Sequence, residues 1–309
     1  MGGIILGLSL PRPSSLRGSV LPGLAIGVTL AVAACRSAPD PAGSIRLVDD
    51  AGDSIALKAP ARRVVSLIPA TTELLFAIGA GSVVVGRTRY CDYPPAASQI
   101  VDLGDGIKPS IEAVLGRRPD LVVLYNSGQN ATVAERLGDF GIATLRVNTD
   151  ALTDVTRVGR MLGRLTGHER GADSVALVFD SALAAVTRPR KSDRPTVLLL
   201  VWEQPPMTIG RGSFLSELVE RAGGENSFAD VPASSGVVSI EAVANRDPDL
   251  IFTTTEGPFG LATRPEWQAV PAVRERRFLR VSGSEFSRPS PRAPDAIREL
   301  ASRLNLVVR

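Results

Sequence analysis

Residues 110–121 read SIEAVLGRRPDL, and residues 239–250 read SIEAVANRDPDL. Nine of the twelve positions are identical, at an offset of 129 residues (239 − 110). Each copy opens on a serine suited to cap a helix and carries a glutamate two residues later, Glu112 or Glu241. Each then runs into an apolar β-rich segment, Val122-Val123-Leu124 or Ile251-Phe252-Thr253. A chain of 309 residues can build two ordinary cores, so two copies of one α/β unit imply two lobes of similar build.

The flanks of each copy continue the alternation. Before the first copy come a buried strand at 64–67, a helix at 73–78 capped by Thr71 or Thr72 and stopped at Gly79, and a strand at 82–85. After it come a helix at 132–140, ended by Gly141, and a strand at 144–147. The second copy sits among a strand at 196–202, a helix at 214–221 behind Ser213, a short helix at 266–270, a strand at 278–281 and a closing helix at 293–304. Apolar strand runs separated by helices predict parallel sheets covered on both faces. Alternating segments at 45–48 and 54–57 around Asp49-Asp50-Ala51-Gly52-Asp53 predict a hairpin at the entrance to the first lobe.

Between the lobes lies a helix at 153–165 and then a proline-free stretch at 168–186. Ala172, Val175, Ala176, Phe179, Leu183 and Val186 recur at helical spacing in it, and its length would be roughly 28 Å. It is a spanning connector, and the cleft between two lobes so joined is a common ligand site.

The N-terminus is an address. Arg12 and Arg17 precede an apolar run at 20–34, too short to span a bilayer and suited to a signal peptide. The run ends Val32-Ala33-Ala34-Cys35, small residues followed at once by cysteine, which resembles a bacterial lipobox with Cys35 as the lipidated first residue. The expected organisation is 1–34 signal peptide, 35–44 lipidated tether, 45–150 N-terminal lobe, 151–190 helical connector and 191–309 C-terminal lobe. Removing 1–34 lowers the net charge from +3 to 33 − 32 = +1, which gives no electrostatic case for nucleic acid. The remaining cysteine, Cys91, has no intramolecular disulfide partner and reads as a small half-buried thiol. The single histidine, His168, and the lack of a G-x-S-x-G elbow argue against zinc sites and serine hydrolases, so no catalytic residue and no metal ligand is assigned.

From about residue 63 to 304 the sequence resembles the periplasmic-binding proteins of ABC importers for cobalamin, siderophores and haem, and within them the vitamin B12 (cobalamin) binders. The residues that carry the resemblance are VVSLIPATTEL at 64–74, RYCDYPP at 89–95, WEQPP at 202–206, GGEN at 223–226 and FSRPSPR at 286–292. The resemblance implies two Rossmann-like lobes with parallel sheets bridged by a single long α-helix. It implies a receptor, not an enzyme, that needs no cofactor and carries cobalamin or a related corrinoid to a permease dimer with its ATPase subunits. The receptor would be a monomer on the periplasmic face of a bacterial membrane, held through the lipid on Cys35.

The alternative within the family is a ferric-siderophore or haem receptor, and outside it a metal-handling, chelatase-like enzyme. The family's ligand contacts fall on Tyr90, which also follows a strand as a ligand-facing loop should, and on Ser284, Glu285, Phe286, Ser287 and Arg288. Phe286 would lie against the corrin, with its neighbours hydrogen-bonding the amide side chains. Trp202, at a strand end, is as readily a core lid as a ligand platform, and the resemblance turns it toward the cleft. Arg292 reads as a solvated basic tip. As residues, Glu112 and Glu241 complement a helix dipole; in the family the glutamates at these positions meet arginines on the permease. Some cobalamin binders carry a tryptophan where this chain has Gly106 and Ser235, which leaves room for cobinamide or another bulky chelate.

Overall fold

The computed structural model describes residues 44–186, 194–232, 235–253 and 260–307. The expected signal peptide, Cys35 and nearly all of the tether lie outside them. The chain opens with the antiparallel hairpin β1 (Ile45–Val48) and β2 (Ser54–Leu57), at the predicted bounds. Its tip is bound to the first lobe by carboxylates. Asp49 accepts from the Arg146 N–H (3.0 Å) and Asp50 from the Asn148 N–H (2.6 Å), so the hairpin continues the edge of a strand.

The first sheet is all parallel, in the order β4 (Val84–Arg87), β3 (Val64–Ser66), β5 (Leu121–Tyr125), β6 (Ala143–Val147). Three helices interleave it: α1 (Pro69–Ala77), α2 (Ile111–Leu115) and α3 (Gly128–Gly138). Helix α1 begins earlier than predicted and is not capped by a threonine side chain. Thr71 and Thr72 lie inside it, fully buried, and donate back to the Ile68 carbonyl (2.9 and 3.2 Å). Proline at the first position suits a helix start, because its missing N–H would have no partner there.

After β6 the chain forms a helical hairpin, α4 (Leu152–Thr166) and α5 (Glu169–Ala184), turning at Gly167 in the left-handed region (φ 73°). Arg160 faces Asp173 (3.4 Å) and Gly163 faces Ala172, so the two helices run antiparallel. Helix α5 is the bridge. Its 16 residues give about 24 Å. It is seated on the first lobe at Gly171, where a Cβ would fall 2.0 Å from the Ile78 carbonyl oxygen. Only a residue with no side chain allows that approach.

The second sheet runs β10 (Ser235–Val237), β8 (Pro206–Ile209), β7 (Thr196–Glu203), β11 (Leu250–Thr253), β12 (Phe278–Arg280), with the short β9 (Glu225–Asn226) also on β7. Strands β9, β7, β11 and β12 are parallel, whereas β8 and β10 are antiparallel additions. The sheet is therefore mixed, not wholly parallel as expected. Pro205 sits in the turn of the β7–β8 edge hairpin and Pro206 opens β8, a place where a strand tolerates proline. The helices are α6 (Phe214–Ala222), α7 (Ile240–Arg246), α8 (Pro271–Arg274) and α9 (Ala293–Val307).

The duplication extends to backbone geometry. Strand β5 lies between β3 and β6, and β11 lies between β7 and β12. Ser110 and Ser239 accept from the Ala113 and Ala242 N–H groups (3.2 and 3.1 Å). Arg118 and Asp247, 129 residues apart and different in kind, both take a left-handed backbone (φ 46° and 42°). Asp120 accepts from the N–H groups of Arg62 and Arg63 ahead of β3 (2.8 and 3.0 Å), and Asp249 from that of Thr196 at the start of β7 (2.7 Å). Thus the serine caps, the aspartate fixes the neighbouring strand, and the buried Val114, Val243, Leu121 and Leu250 fill the core.

Each sheet is covered on both faces. One apolar cluster lies behind the first sheet, with Val65, Val122, Leu124, Val114 and Leu137. Another lies behind the second, with Leu198, Leu200, Ile251, Val243 and Trp267. The inner faces share a third. It runs without a break from Val64, Leu74 and Val123 through Val158, Leu162 and Phe179 to Leu199, Leu218, Phe286 and Ile297.

Candidate functional site

The carboxyl ends of the parallel strands and the starts of the following helices meet between the lobes, where ligands of open α/β sheets bind. Two adjoining cavities lie there. The larger, about 910 Å³, is lined on the first lobe by Ile68, Pro69 and Ala70 at the start of α1, by Arg89, Tyr90 and Asp92, and on the second lobe by Gly283, Ser284, Ser287 and Arg288. The smaller, about 470 Å³, has Tyr125 and Asp150 on one side and Val201, Ile209, Phe214 and Leu215 on the other. Thr149 and Ser287 line both, so the two are chambers of one cleft.

At one end of the cleft the lobes are joined by charge. Glu73 of α1 is 3 % exposed. Its Oε1 accepts from Arg288 Nε (2.7 Å) and Arg292 Nη2 (2.8 Å), and its Oε2 from Arg292 Nε (2.9 Å). Arg288 also donates to the Tyr90 carbonyl (2.9 Å) and pairs with Asp92. Arg292 also donates to Glu285 Oε2 (2.5 Å) and Ser284 Oγ (2.9 Å), and its guanidinium lies 4.0 Å from the centre of the Tyr93 ring. Burial raises the Asp92 pKa, but the hydrogen bond and charge of Arg288 outweigh it and hold the carboxyl below the usual aspartate range.

A buried polar cluster anchors the Tyr90 loop behind this clasp. Thr72 Oγ1 lies within hydrogen-bond distance of Ser66 Oγ (2.8 Å) and Cys91 Sγ (3.1 Å), and Thr88 Oγ1 lies 3.2 Å from the same sulfur. Cys91 is fully buried instead of half-buried.

The candidate ligand residues part company here. Tyr90, Ser284 and Ser287 line the larger chamber, and Tyr90 is 56 % exposed. Arg288 reaches that chamber's wall, but its guanidinium is committed to Glu73, Asp92 and the Tyr90 carbonyl. The Glu285 carboxylate faces Arg292 instead of the cleft. Phe286 is 1 % exposed; it belongs to the shared core and backs the smaller chamber instead of offering a ring face. Trp202 lines neither chamber; its ring N–H donates to the Gln204 carbonyl (2.7 Å) on the exposed β7–β8 hairpin. Arg292, expected as a solvated tip, is a centre of the clasp. Gly106 has φ 79°, and a Cβ there would fall 2.7 Å from the Leu67 carbonyl oxygen, so no tryptophan fits that position in this backbone.

Sequence reasoning missed Tyr125, Thr149 and Asp150. All three end or follow strands, the same signal that pointed to Tyr90. The Tyr125 hydroxyl donates to the Asp150 carboxylate (2.9 and 3.0 Å to its two oxygens). Burial first and Asp150 second push the Tyr125 pKa up to about 12.

Glu112 and Glu241 stand apart from the cleft, exposed in the first turns of α2 and α7. Each pKa is lowered, first by the glutamate's own backbone N–H and next by the capping serine. Among the described residues, neither forms an ion pair within 4 Å, and no group of three or more His, Cys, Asp or Glu is arranged to hold a metal.

The model of the periplasmic binding protein family matches residues 64–283, which take in the main sheets of both lobes and most of the cleft lining. The chain belongs to that family. The binding protein is 28% identical over 254 residues to a vitamin B12-binding protein of Vibrio parahaemolyticus, covering 81% of this chain and 92% of the relative. It is 29% identical over 270 residues to an ABC transporter substrate-binding lipoprotein of Bacillus subtilis, covering 83% and 84%. Among solved structures, the periplasmic vitamin B12 binding protein of Vibrio cholerae superposes with a TM-score of 0.64 at 25% identity, covering 80% of the binding protein and 98% of that chain. The family is one of extracytoplasmic receptors, so the cleft holds a cargo and not a reacting substrate.

Proposed function

We propose that this chain is a lipid-anchored receptor that captures cobalamin or a related corrinoid in the interlobe cleft and delivers it to an ABC importer. The observation that carries the reading is the size and charge of the cleft. Ligand pockets commonly measure about 300–1,000 Å³; a chamber of about 910 Å³ opening into one of about 470 Å³ suits a bulky macrocycle better than an amino acid or a sugar. Of its two arginines, Arg288 is spent on the clasp, which leaves Arg89 alone against Asp150. A siderophore or haem carrying several carboxylates would want more free cations than that. A corrinoid, fringed by neutral amides, would not. The relatives named for vitamin B12 support the same choice.

The lipid anchor rests on Val32-Ala33-Ala34-Cys35, and a lipoprotein among the relatives agrees with it. Docking rests on Glu112 and Glu241. In the repeat the serine caps, the aspartate fixes and the valine and leucine fill, whereas these two carboxylates are exposed and without an ion pair among the described residues. One acid per lobe fits a two-fold permease and would set orientation and on-rate.

Calorimetric titration with cyanocobalamin, dicyanocobinamide and a ferric siderophore tests the reading. A corrinoid should bind tighter than about 10 µM, roughly −7 kcal/mol. Siderophore binding with no corrinoid binding would overturn it.

A further inference from the structure

The clasp accounts for Glu73, Asp92, Arg288, Arg292 and Glu285, but not for the carboxylate at the other end of the cleft. Asp150 follows β6, is exposed, and lines the smaller chamber. Its side-chain partner is the Tyr125 hydroxyl, and no described cation lies within ion-pair distance of it. The nearby Arg157 is taken by Asp50 (2.5 Å) and Asp154 (2.7 Å). The first N–H groups of α4 give no relief either, because Ala151 N–H goes to Asp154 (3.0 Å) and Leu152 N–H crosses to Glu217 of α6 (3.0 Å). Among the described residues, no arginine or lysine lines the smaller chamber, whose far wall is Val201, Ile209, Phe214 and Leu215. The start of α6 does not reverse the sign, since Glu217 sits in its first turn.

An ionised carboxylate only accepts hydrogen bonds, and it offers about four lone-pair sites. The Tyr125 hydroxyl supplies one donor and fixes the orientation of the group. Covering the remaining sites with a ligand that lacks N–H or O–H would strand a charge in a partly apolar chamber, and a second carboxylate would add repulsion. A primary amide presents N–H to the carboxylate and is itself uncharged.

We propose that Asp150, positioned by Tyr125, is a specificity-determining acceptor that admits ligands bearing carboxamide N–H to the smaller chamber and rejects those bearing carboxylates there. The assignment deepens the corrinoid reading and rests on it. Tyr125 is a positioning residue: it acts by holding the carboxylate toward the chamber.

The test compares two ligands with one macrocycle, dicyanocobinamide with its amide side chains and the corrin polycarboxylate with those amides hydrolysed to acids. Both are titrated by calorimetry into the processed protein and into the Asp150→Asn and Tyr125→Phe variants. The wild type should prefer the amide form by at least about tenfold, the scale of one hydrogen bond to a charged group. Asp150→Asn, which keeps the shape and removes the charge, should cut that preference at least about fivefold, mainly by admitting the carboxylate form. Tyr125→Phe should cut it less, and both variants should keep the wild-type thermal midpoint within about 2 °C, as for exposed substitutions. A wild type without preference, or an Asp150→Asn variant whose preference is unchanged while the amide form still binds, overturns this inference and leaves the corrinoid reading standing. A wild type that binds neither form overturns both.

Discussion

Replacing Glu73 by alanine should separate the clasp from the ligand site. The carboxylate is 2 % exposed and accepts three charged hydrogen bonds of 2.7–2.9 Å from two arginines that are 12 and 18 % exposed. Removing one partner of a buried ion pair costs roughly 3–5 kcal/mol, because the charge left behind is uncompensated. Here the arginines keep part of their support. Arg288 retains Asp92 and the Tyr90 carbonyl, and Arg292 retains Glu285 and Ser284. The lower end of that range, about 3 kcal/mol, is therefore expected, a fall in Tm of roughly 6–12 °C for a chain of this size. Urea and thermal unfolding of the wild type, Glu73→Ala, Arg292→Ala and the double variant give the measurement. The cycle should show coupling on the order of 1–3 kcal/mol. Glu299→Ala, which breaks a half-exposed helix pair with Arg303, should cost under about 0.5 kcal/mol and serves as the control. A loss below about 1 kcal/mol for Glu73→Ala would refute the view that the clasp holds the lobes together.

Glu112→Ala plus Glu241→Ala should leave ligand affinity and Tm nearly unchanged and abolish ligand-driven uptake and ATPase stimulation in reconstituted permease; intact uptake would remove the docking role. Since both carboxyl pKa values lie below the ordinary glutamate value, docking should persist down to about pH 4.5, which the same assay can follow. Gly171→Ala should destabilise by roughly 1–3 kcal/mol, because its Cβ meets the Ile78 carbonyl and must push α5 off the first lobe; urea unfolding reads it. Tyr125 should ionise near pH 12 in an ultraviolet titration, and the Tyr125→Phe variant should lack that step. Its folded pKa is raised, so its stabilising contribution is complete below about pH 10 and is lost as the pH climbs from there through about 12.

The duplicated motif was a sufficient guide to the architecture because its residues act locally. A serine caps its own helix, and an aspartate fixes the strand next door. The first hairpin was legible to the residue, since alternation around Asp49-Asp50-Ala51-Gly52-Asp53 defines it without tertiary help. What escaped was whatever depends on the other lobe. Arg288 and Arg292 lie more than 200 residues from Glu73, and nothing within PSPR tells an arginine that meets water from one that meets a buried carboxylate. Phe286 was placed on the ligand by resemblance, yet the turn at 284–286 sends its ring into the core. The β8–β10 edge was hidden because proline pairs argue against strands in general and not against edge strands.

The unbroken apolar cluster beneath the cleft has a thermodynamic consequence. Opening the lobes widely would expose core surface at about 25 cal/mol for each Å², so empty and loaded forms can differ only by small rotations. A partner can then gain little by distinguishing them through shape, since a ligand shifts a conformational balance only by its differential affinity for the two states. The work of prying the lobes apart to free the cargo falls to whatever grips both at once.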